Sequence, residues 1–304
     1  MAVFTWLHLS DLHFDSRTSF DGQIIQDAMC EDLTSLIEKK KISIDFVFVT
    51  GDIANKGAED DYKIALSFFG RIHEITGVNR DAMFFVPGNH DVNRLLVSRY
   101  LDDKRNRLDN RIDIRQAAEQ DIDEYLKRFD NYSKFIAAFY SIPFVMKREN
   151  YYFAENRMIA NNDIGVIGLN TAWASYGDRN DSNNIYISDT QFLRAIEKVK
   201  NANIKIVLLH HPFSWLYDID KSDCEDIVQK HCDIILHGHL HKQNFHIINS
   251  VKGDQITIPA GSIINDRQLS NSYNITQIDL RKKRLLSFQD DILIPTEPFL
   301  ETSI

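Results

Sequence analysis

Five stretches of the sequence place acidic, histidine or asparagine residues directly after a run of apolar residues. They occupy positions 10–13, 51–52, 88–91, 210–212 and 238–241. Their candidate metal-ligating residues are Asp11, His13, Asp52, Asn89, His210, His239 and His241. Carboxylate, imidazole and amide oxygen donors together suit Mn²⁺, iron or Zn²⁺. We therefore predict a metal centre built from these five stretches.

The number of candidate donors indicates the kind of metal centre. Seven ligands are too many for one tetrahedral ion but suit two divalent ions, with a carboxylate such as Asp52 bridging them. Two ions roughly 3.5–4 Å apart activate a shared water as hydroxide and neutralise charge on a phosphoryl oxygen. The predicted chemistry is hydrolysis of a phosphoester, with the bridging hydroxide as the nucleophile.

Each stretch taken alone also has an ordinary structural explanation. A single Asp-x-His sequence, as at 11–13, is rarely a ligand pair, and a Gly-Asp sequence, as at 51–52, is common in turns. The inference rests on five stretches in one order, each after an apolar run. The neighbouring His8 and His237 alternate with apolar strand residues, and we expect them to be buried. His211 either positions the following turn or supports the site.

The apolar runs before these stretches predict the elements that position them. They predict short buried strands at 3–9, 46–50, 83–86, 206–209 and 234–236. Helical spacing of apolar residues between the first three runs indicates parallel strands joined by right-handed crossovers, an α/β fold. Sites in such folds lie beyond the carboxyl ends of the strands. The donors are therefore expected at a common edge.

Two parts of the chain depart from this alternation. Positions 94–140 are rich in both signs of charge and then carry an aromatic stripe with helical spacing. We interpret them as a helical insertion, which either covers the mouth of the site or forms a solvated surface helix pair. Positions 244–290 predict four short strands. We expect one domain over 1–304, and two domains are the second choice.

Composition limits the class of protein. The chain is 43% hydrophobic and 26% charged, as globular proteins are, and its formal net charge is −9. An acidic chain is a poor sequence-independent nucleic-acid coat. Three cysteines without ligand spacing indicate reduced thiols. Because no apolar run approaches the roughly 20 residues that span a bilayer, we expect no membrane association and a soluble cytoplasmic protein.

The order Asp-x-His, Gly-Asp, Gly-Asn-His-Asp, His and Gly-His-x-His, from 11 to 241, resembles the calcineurin-like metallophosphoesterase superfamily. The resemblance implies two facing mixed β-sheets flanked by helices. It also assigns ligands: Asp11, His13 and His241 to one ion, Asn89, His210 and His239 to the other, with Asp52 bridging. The residue pattern alone does not separate His90 from the ligands. In the family pattern His90 faces the substrate as a catalytic residue, and Asp91 orients it through a hydrogen bond.

Within the superfamily, the sequence most resembles bacterial class III cyclic-nucleotide phosphodiesterases, at 51–55, 169–171 and 210–212. This resemblance implies a phosphodiesterase with two ions, Mn²⁺, Fe²⁺/Fe³⁺ or Zn²⁺, that acts on a cyclic nucleotide or another small diester. The candidate substrate contacts are Asn55, Arg94, Trp173 and His211. Trp173, like Phe213 and Trp215, lies next to a site strand, so each either stacks on a base or packs in the core.

Three other functions stay open. A metal-dependent DNA or RNA nuclease would need a local basic groove in an acidic chain. An inactive binding scaffold usually lacks ligands or the catalytic histidine, and this chain has all of them. Similar chains also serve as effector modules of bacterial defence proteins. The oligomeric state is left open.

Overall fold

The strands of the protein form two mixed β-sheets that face each other. The computed structural model describes residues 3–17, 19–96, 105–176, 181–240, 246–250, 253–263, 271–279 and 284–291. The strands are β1 (Val3–Leu9), β2 (Phe46–Thr50), β3 (Met83–Val86), β4 (Phe153–Ile159), β5 (Asn162–Gly168), β6 (Ile204–Leu209), β7 (Ile234–His237), β8 (His246–Ser250), β9 (Gly253–Pro259), β10 (Ser272–Asp279) and β11 (Arg284–Asp291).

The strand order places the predicted site strands side by side. The first sheet has the order β11-β10-β1-β2-β3, and the second has the order β4-β5-β6-β7-β9-β8. β1, β2 and β3 are parallel, as are β5, β6, β7 and β9, whereas β4, β8, β10 and β11 pair antiparallel with their neighbours. Both sheets are therefore mixed, as the family resemblance implies.

The space between the sheets is filled by apolar side chains from both. Trp6 and Phe48 of the first sheet are fully buried in one cluster with Ile206 and Leu208 of the second sheet. Alternate residues of the same strands, such as Leu7, belong to a second cluster that includes the flanking helices. Because both faces of these strands are buried, their sequences are almost continuously apolar.

Helices cover the outer faces of the sheets. They are α1 (Ser19–Lys40), α2 (Glu59–Thr76), α3 (Arg111–Gln116), α4 (Ile122–Leu126), α5 (Asp130–Tyr140), α6 (Asp189–Lys198) and α7 (Asp218–His231). Short 3-10 helices occupy Arg80–Ala82, Asn89–Asp91, Arg94–Leu96, Lys127–Phe129 and Phe213–Trp215, and a π-helical turn occupies Ala117–Asp121. α1 packs on α2, and α6 packs on α7. Among the described helices, none has the length and apolar character that crossing a membrane requires.

The aromatic stripe of the predicted insertion packs into the core. Phe135 and Phe139 on α5 contact Phe85 of β3, with ring centroids 5.4 and 4.9 Å apart, and Phe135 stacks on Tyr62 of α2. The alternative of a solvated surface helix pair is therefore wrong for α5. Arg128, just before α5, is buried and donates hydrogen bonds to main-chain oxygens of the segment after β5.

The C-terminal strands complete both sheets. β8 and β9 extend the second sheet, while β10 pairs with β1 and carries β11 at the edge of the first sheet. The predicted β-rich part thus adds to the sandwich on both sides. The division of the chain into one domain with an insertion stays a prediction, as does a cover over the site mouth. Cys30, Cys224 and Cys232 are buried and unpaired.

Candidate active site

The predicted site stretches meet at one edge of the sandwich, beyond the ends of parallel strands. In the first sheet, the Asp11 amide donates to the Gly51 carbonyl oxygen over 3.1 Å. In the second sheet, the Gly238 amide donates to the His210 carbonyl oxygen over 3.1 Å. His210 Nδ1 then donates to the Thr50 carbonyl oxygen over 2.7 Å, which joins the two sheets at this edge.

One group of donor atoms surrounds the buried imidazole of His210. Its Nε2 lies 3.1 Å from Asn89 Oδ1, 3.3 Å from Asp52 Oδ2 and 3.2 Å from His239 Nδ1. Because Nδ1 keeps its proton and donates it in a hydrogen bond to the Thr50 carbonyl oxygen, Nε2 of the neutral ring presents a lone pair. Electron-rich atoms of four side chains, from both sheets, therefore converge on one point.

Such lone pairs repel each other unless a proton or a cation lies between them. Burial disfavours protonation of His210, but the Asp52 carboxylate outweighs it and raises the pKa of this imidazole to about 9. Burial also disfavours ionisation of Asp52, yet the surrounding histidines hold the pKa of its carboxyl well below the usual range. Donors on one ion at about 2.1 Å lie roughly 3.0–3.4 Å apart, so a divalent cation fits the same point.

A second group of donors shares Asp52 with the first. His13 Nε2 lies 3.9 Å from Asp11 Oδ1 and 3.8 Å from Asp52 Oδ2, and the other Asp11 oxygen accepts from the His239 amide over 3.1 Å. The same Asp52 oxygen faces His13 on one side and His210 on the other, the position that a bridging carboxylate needs. His241, predicted for this group, lies outside the described residues.

The backbone is strained at four of these donor residues. Asp11, His13, Asp52 and His239 have φ angles of 53°, 45°, 53° and 70°. These left-handed conformations are unfavourable for residues other than glycine and cluster at functional sites. The tight turns after β1, β2 and β7 are thus held in place by the surrounding fold rather than by local preference.

Glycines allow the donor stretches to approach each other closely. A Cβ atom on Gly88 would lie 2.2 Å from Asp52 Oδ1. A Cβ atom on Gly238 would lie 1.9 Å from Ser10 Oγ and 2.8 Å from Asp11 Oδ2. Any side chain at these positions would displace a candidate bridging or ligating carboxylate, which explains the Gly-Asn and Gly-His pairs of the sequence.

His90 lies next to the Asp52 carboxylate and is fixed by the main chain. Its amide donates to Asp52 Oδ1 over 2.8 Å, and its Nδ1 donates to the Asn55 carbonyl oxygen over 2.7 Å. Its ring meets the His13 ring edge to face, with centroids 4.6 Å apart. The Asn55 carbonyl fixes the Nδ1 proton, so Nε2 is the nitrogen that can serve in proton transfer.

Asp91 does not orient His90 in the described structure, which corrects the sequence prediction. The Asp91 carboxylate accepts hydrogen bonds from the amides of Ile53, Ala54 and Gly88 and from the Tyr62 hydroxyl. Burial and, to a smaller extent, the nearby Asp52 charge raise the pKa of the Asp91 carboxyl to about 6, although these hydrogen bonds act to lower it. Asp91 therefore ties the loop after β2 to the loop after β3, and the Asn55 carbonyl oxygen orients His90 instead.

Replacing Asp91 by alanine is expected to lower the free energy of unfolding by roughly 3–5 kcal/mol, because it leaves buried donors without acceptors. Tyr62→Phe, which removes only one donor, is expected to cost about 1 kcal/mol. Urea unfolding followed by circular dichroism measures both, with the exposed Asp60→Ala as a control. A cost for Asp91→Ala no larger than that of Tyr62→Phe would contradict the loop-tying role.

His211 is buried behind the first group of donors. Its Nδ1 lies 2.8 Å from Thr171 Oγ1, and its Nε2 lies 3.2 Å from Asn89 Oδ1. Burial, followed by the nearby His239 and His210, keeps the pKa of this imidazole well below its usual range. When the Thr171 hydroxyl donates to Nδ1, the ring proton is on Nε2, which donates to Asn89 Oδ1. In this position His211 can orient the Asn89 amide as a metal ligand. A direct contact between His211 and the substrate stays a prediction.

The other predicted substrate contacts have different outcomes. Trp173 is fully buried and packs edge to face on Tyr125, so its prediction as a base-stacking residue is wrong because no ring face is accessible. Asn55 Nδ2 donates to Asp15 Oδ2 over 2.8 Å, beside His90, and a phosphate contact stays a prediction. The Arg94 side chain lies outside the described part of the structure.

Sequence reasoning missed one feature near the donors and left a second one undecided. The Tyr62 hydroxyl on α2 donates to Asp91. The apolar pattern of the helix did not indicate this contact, because a tyrosine in such a pattern is also read as a core residue. Trp215, rather than Trp173, lies against the donor groups, with its ring centroid 4.0 Å from that of His239. Its place shortly after the His-His-Pro stretch made it a candidate for base stacking, with core packing as the alternative.

A separate cavity of about 470 Å³ lies on the side of the sandwich. Aromatic residues of β3, α5 and β4 line it, among them Phe84, Tyr132 and Phe153, with Arg157 and Glu155 among the remaining lining residues. It contains none of the predicted metal ligands. We therefore place the chemistry at the donor groups, which lie beyond the strand ends, rather than in this cavity.

The donor groups fit two divalent transition-metal ions. Asp52, His210, Asn89 and His239 would hold one ion, and Asp11, His13 and Asp52 would contribute to the other. The set is a mixture of carboxylate, imidazole and amide oxygen, which suits Mn²⁺, iron and Zn²⁺ and does not distinguish among them.

Comparison with known proteins agrees with this geometry. Residues 4–243 match the family described as calcineurin-like phosphoesterase. The chain belongs to this family. The match includes all the described donor stretches and the strands β1 to β7, which belong to both sheets. The donor groups of the chain fit the metal-dependent phosphoester chemistry of this family.

Individual relatives are more distant. The chain is 23% identical over 292 residues to the uncharacterized metallophosphoesterase-like protein YydB of Bacillus subtilis, covering 90% of this chain and 56% of that protein. It is 33% identical over 85 residues to the glycerophosphodiester phosphodiesterase GpdQ of Enterobacter lignolyticus, 28% of each protein. The chain thus spans about half the length of the first of these relatives, and less of the second.

A solved structure supports the fold. The structure of the sulfate thiohydrolase SoxB of Thermus thermophilus in complex with glycerol is similar, with a TM-score of 0.51 at 12% identity. The similarity covers 97% of this chain and 57% of that protein. At this identity the likeness concerns the arrangement of sheets and helices alone.

Proposed function

We propose that the protein is a dinuclear metal-dependent phosphodiesterase that cleaves small diesters such as cyclic nucleotides. The observation that carries the proposal is the convergence of lone pairs from Asp52, Asn89, His210 and His239, next to a second group that shares Asp52. The short match to a protein named glycerophosphodiester phosphodiesterase supports the diester class.

The residues around the donors have defined tasks in this proposal. Two divalent ions, when bound, lower the pKa of a water and neutralise charge on phosphoryl oxygens. Asp52 links both donor groups and also holds the His90 amide. His90, with Nδ1–H fixed on the Asn55 carbonyl, would give a proton to the departing alkoxide from Nε2 of the doubly protonated ring, which becomes neutral in the step. Asp91 keeps the two loops in register.

A substrate panel tests the proposal with purified protein reconstituted with Mn²⁺. It contains bis(p-nitrophenyl) phosphate, p-nitrophenyl phosphate, 3′,5′-cyclic AMP, and single- and double-stranded DNA. The expected result is faster cleavage of the small diesters than of the monoester or DNA, with loss of activity in EDTA and recovery on adding Mn²⁺.

Other outcomes of the same panel overturn the proposal in distinct ways. Cleavage of DNA with little turnover of small diesters would make the protein a nuclease. Preference for p-nitrophenyl phosphate would make it a monoesterase. Bound ions without turnover of any compound would favour a binding scaffold.

A further inference from the structure

Trp215 is placed where it can contact a molecule bound at the donor groups. It lies on the 3-10 turn Phe213–Trp215, which begins directly after Pro212. Its ring meets the ring of His239 edge to face, with centroids 4.0 Å apart. The ring of His211 lies at a centroid distance of 6.2 Å and an interplanar angle of 29°. The indole therefore contacts His239, a candidate metal ligand, and lies near His211, whose Nε2 is within hydrogen-bond distance of the candidate ligand Asn89.

The exposure of Trp215 differs from that of the other tryptophans. The sequence has three tryptophans. Trp6 and Trp173 are fully buried, whereas Trp215 is only half-buried. Phe213 on the same turn packs against the hydrophobic core, so its side chain has a structural role that Trp215 does not share. An aromatic side chain that stays partly exposed beside such a site is typical of a ligand contact.

The two sides of the donor set differ in chemistry. On one side, His90 lies against His13, with the polar Asn55 and Asp15 beside it. Trp215 lies against His239, which belongs to the other donor group. A phosphate held between the groups would thus have polar partners near one ester oxygen and an indole near the other.

We propose that Trp215 forms an aromatic subsite that takes a planar ester substituent of the substrate, such as a nucleobase. The inference rests on the proposed function, because the phosphate must be held by the donor groups. Stacking of a base on an aromatic side chain contributes about 1–3 kcal/mol, and about 1.4 kcal/mol corresponds to a tenfold change in affinity. The contact with His239 holds the ring in one orientation before the ligand arrives.

Ligand binding tests the subsite without turnover. Isothermal titration of the Mn²⁺-loaded protein compares AMP with ribose 5-phosphate, which carries the same phosphate and sugar but no base. We expect AMP to bind the wild type about tenfold or more tightly than ribose 5-phosphate, and Trp215→Leu to bind both with similar affinity. Phe213→Leu, on the same turn, is the matched control and should keep the wild-type ratio.

Tryptophan fluorescence provides a second readout of the same site. Since Trp215 is the partly exposed tryptophan, acrylamide quenching reports mainly on it. AMP should protect the protein from quenching, and ribose 5-phosphate should not. The conservative Trp215→Phe should retain most of the preference for AMP, because it retains an aromatic face.

The possible failures are distinguishable. If both phosphates bind the wild type equally, or if Trp215→Leu retains the preference for AMP, the subsite is wrong and the proposed function stands. If Trp215→Leu loses Mn²⁺, measured by atomic emission, Trp215 only supports His239 and the subsite is also wrong. If neither phosphate binds and no diester is cleaved, the proposed function itself fails.

Discussion

Asp52→Asn is expected to remove metal binding and activity together. The change takes away the charge and one possible bridging oxygen at the point where the two donor groups meet. We expect kcat for bis(p-nitrophenyl) phosphate to fall by about 10³-fold or more. Mn²⁺ affinity should fall by more than about 100-fold. Replacing a residue that only hydrogen-bonds to a metal ligand typically lowers metal affinity by roughly 10–100-fold, so the larger loss indicates a ligand. Kinetics and equilibrium dialysis measure the two effects.

The matched control for this variant is Asp60→Asn. Asp60 is an exposed aspartate that pairs with Lys63 on α2, so its replacement removes the same charge away from the site. It should keep wild-type activity and metal content. An Asp52→Asn protein that is folded, holds two ions and cleaves the diester at the wild-type rate would show that Asp52 does not bridge.

His90→Asn is expected to separate metal binding from catalysis. Because His90 Nδ1 is fixed on the Asn55 carbonyl oxygen, its side chain is oriented for proton transfer. We expect kcat to fall by about 10²–10⁴-fold while both ions stay bound. The loss should be larger for a diester with a poor leaving group, such as phenyl, than for p-nitrophenyl, because a poor leaving group depends more on protonation.

The alternative role of His90 gives a clear opposite result. Ligand atoms of His13, Asp52 and His90 also lie close enough together to hold an ion. If His90→Asn loses Mn²⁺ in proportion to activity, His90 is a ligand rather than an acid. His231→Asn, at the exposed end of α7, is the control for loss of an imidazole.

The sequence predicted the donor-bearing strands because their physical signals are strong. A strand that is buried on both faces has a continuously apolar sequence, and a polar ligating residue directly after it ends the apolar run abruptly. The sequence alone therefore predicts that His210 and His239 lie at one edge of the sheet. The mixed order of the sheets followed from the resemblance to a family, since antiparallel β10 beside β1 leaves no local signal.

Contacts that depend on distant parts of the chain could not be predicted in this way. The family resemblance implied that Asp91 orients His90 through a hydrogen bond, but the Asp91 carboxylate turns to the amides after β2. Trp173 and Trp215 both follow site strands, and only packing distinguishes them. Trp173 is enclosed by Tyr125 and Tyr186, whereas Trp215 stays at the surface beside His239.

The most direct test of the account is electron paramagnetic resonance of the protein titrated with Mn²⁺. Two ions roughly 3.5–4 Å apart and bridged by Asp52 should give a spin-coupled signal at two equivalents per chain. Asp52→Asn should remove that coupling. A spectrum of isolated Mn²⁺ ions in the wild type, or saturation at one equivalent, would contradict a dinuclear centre and with it the proposed phosphodiesterase.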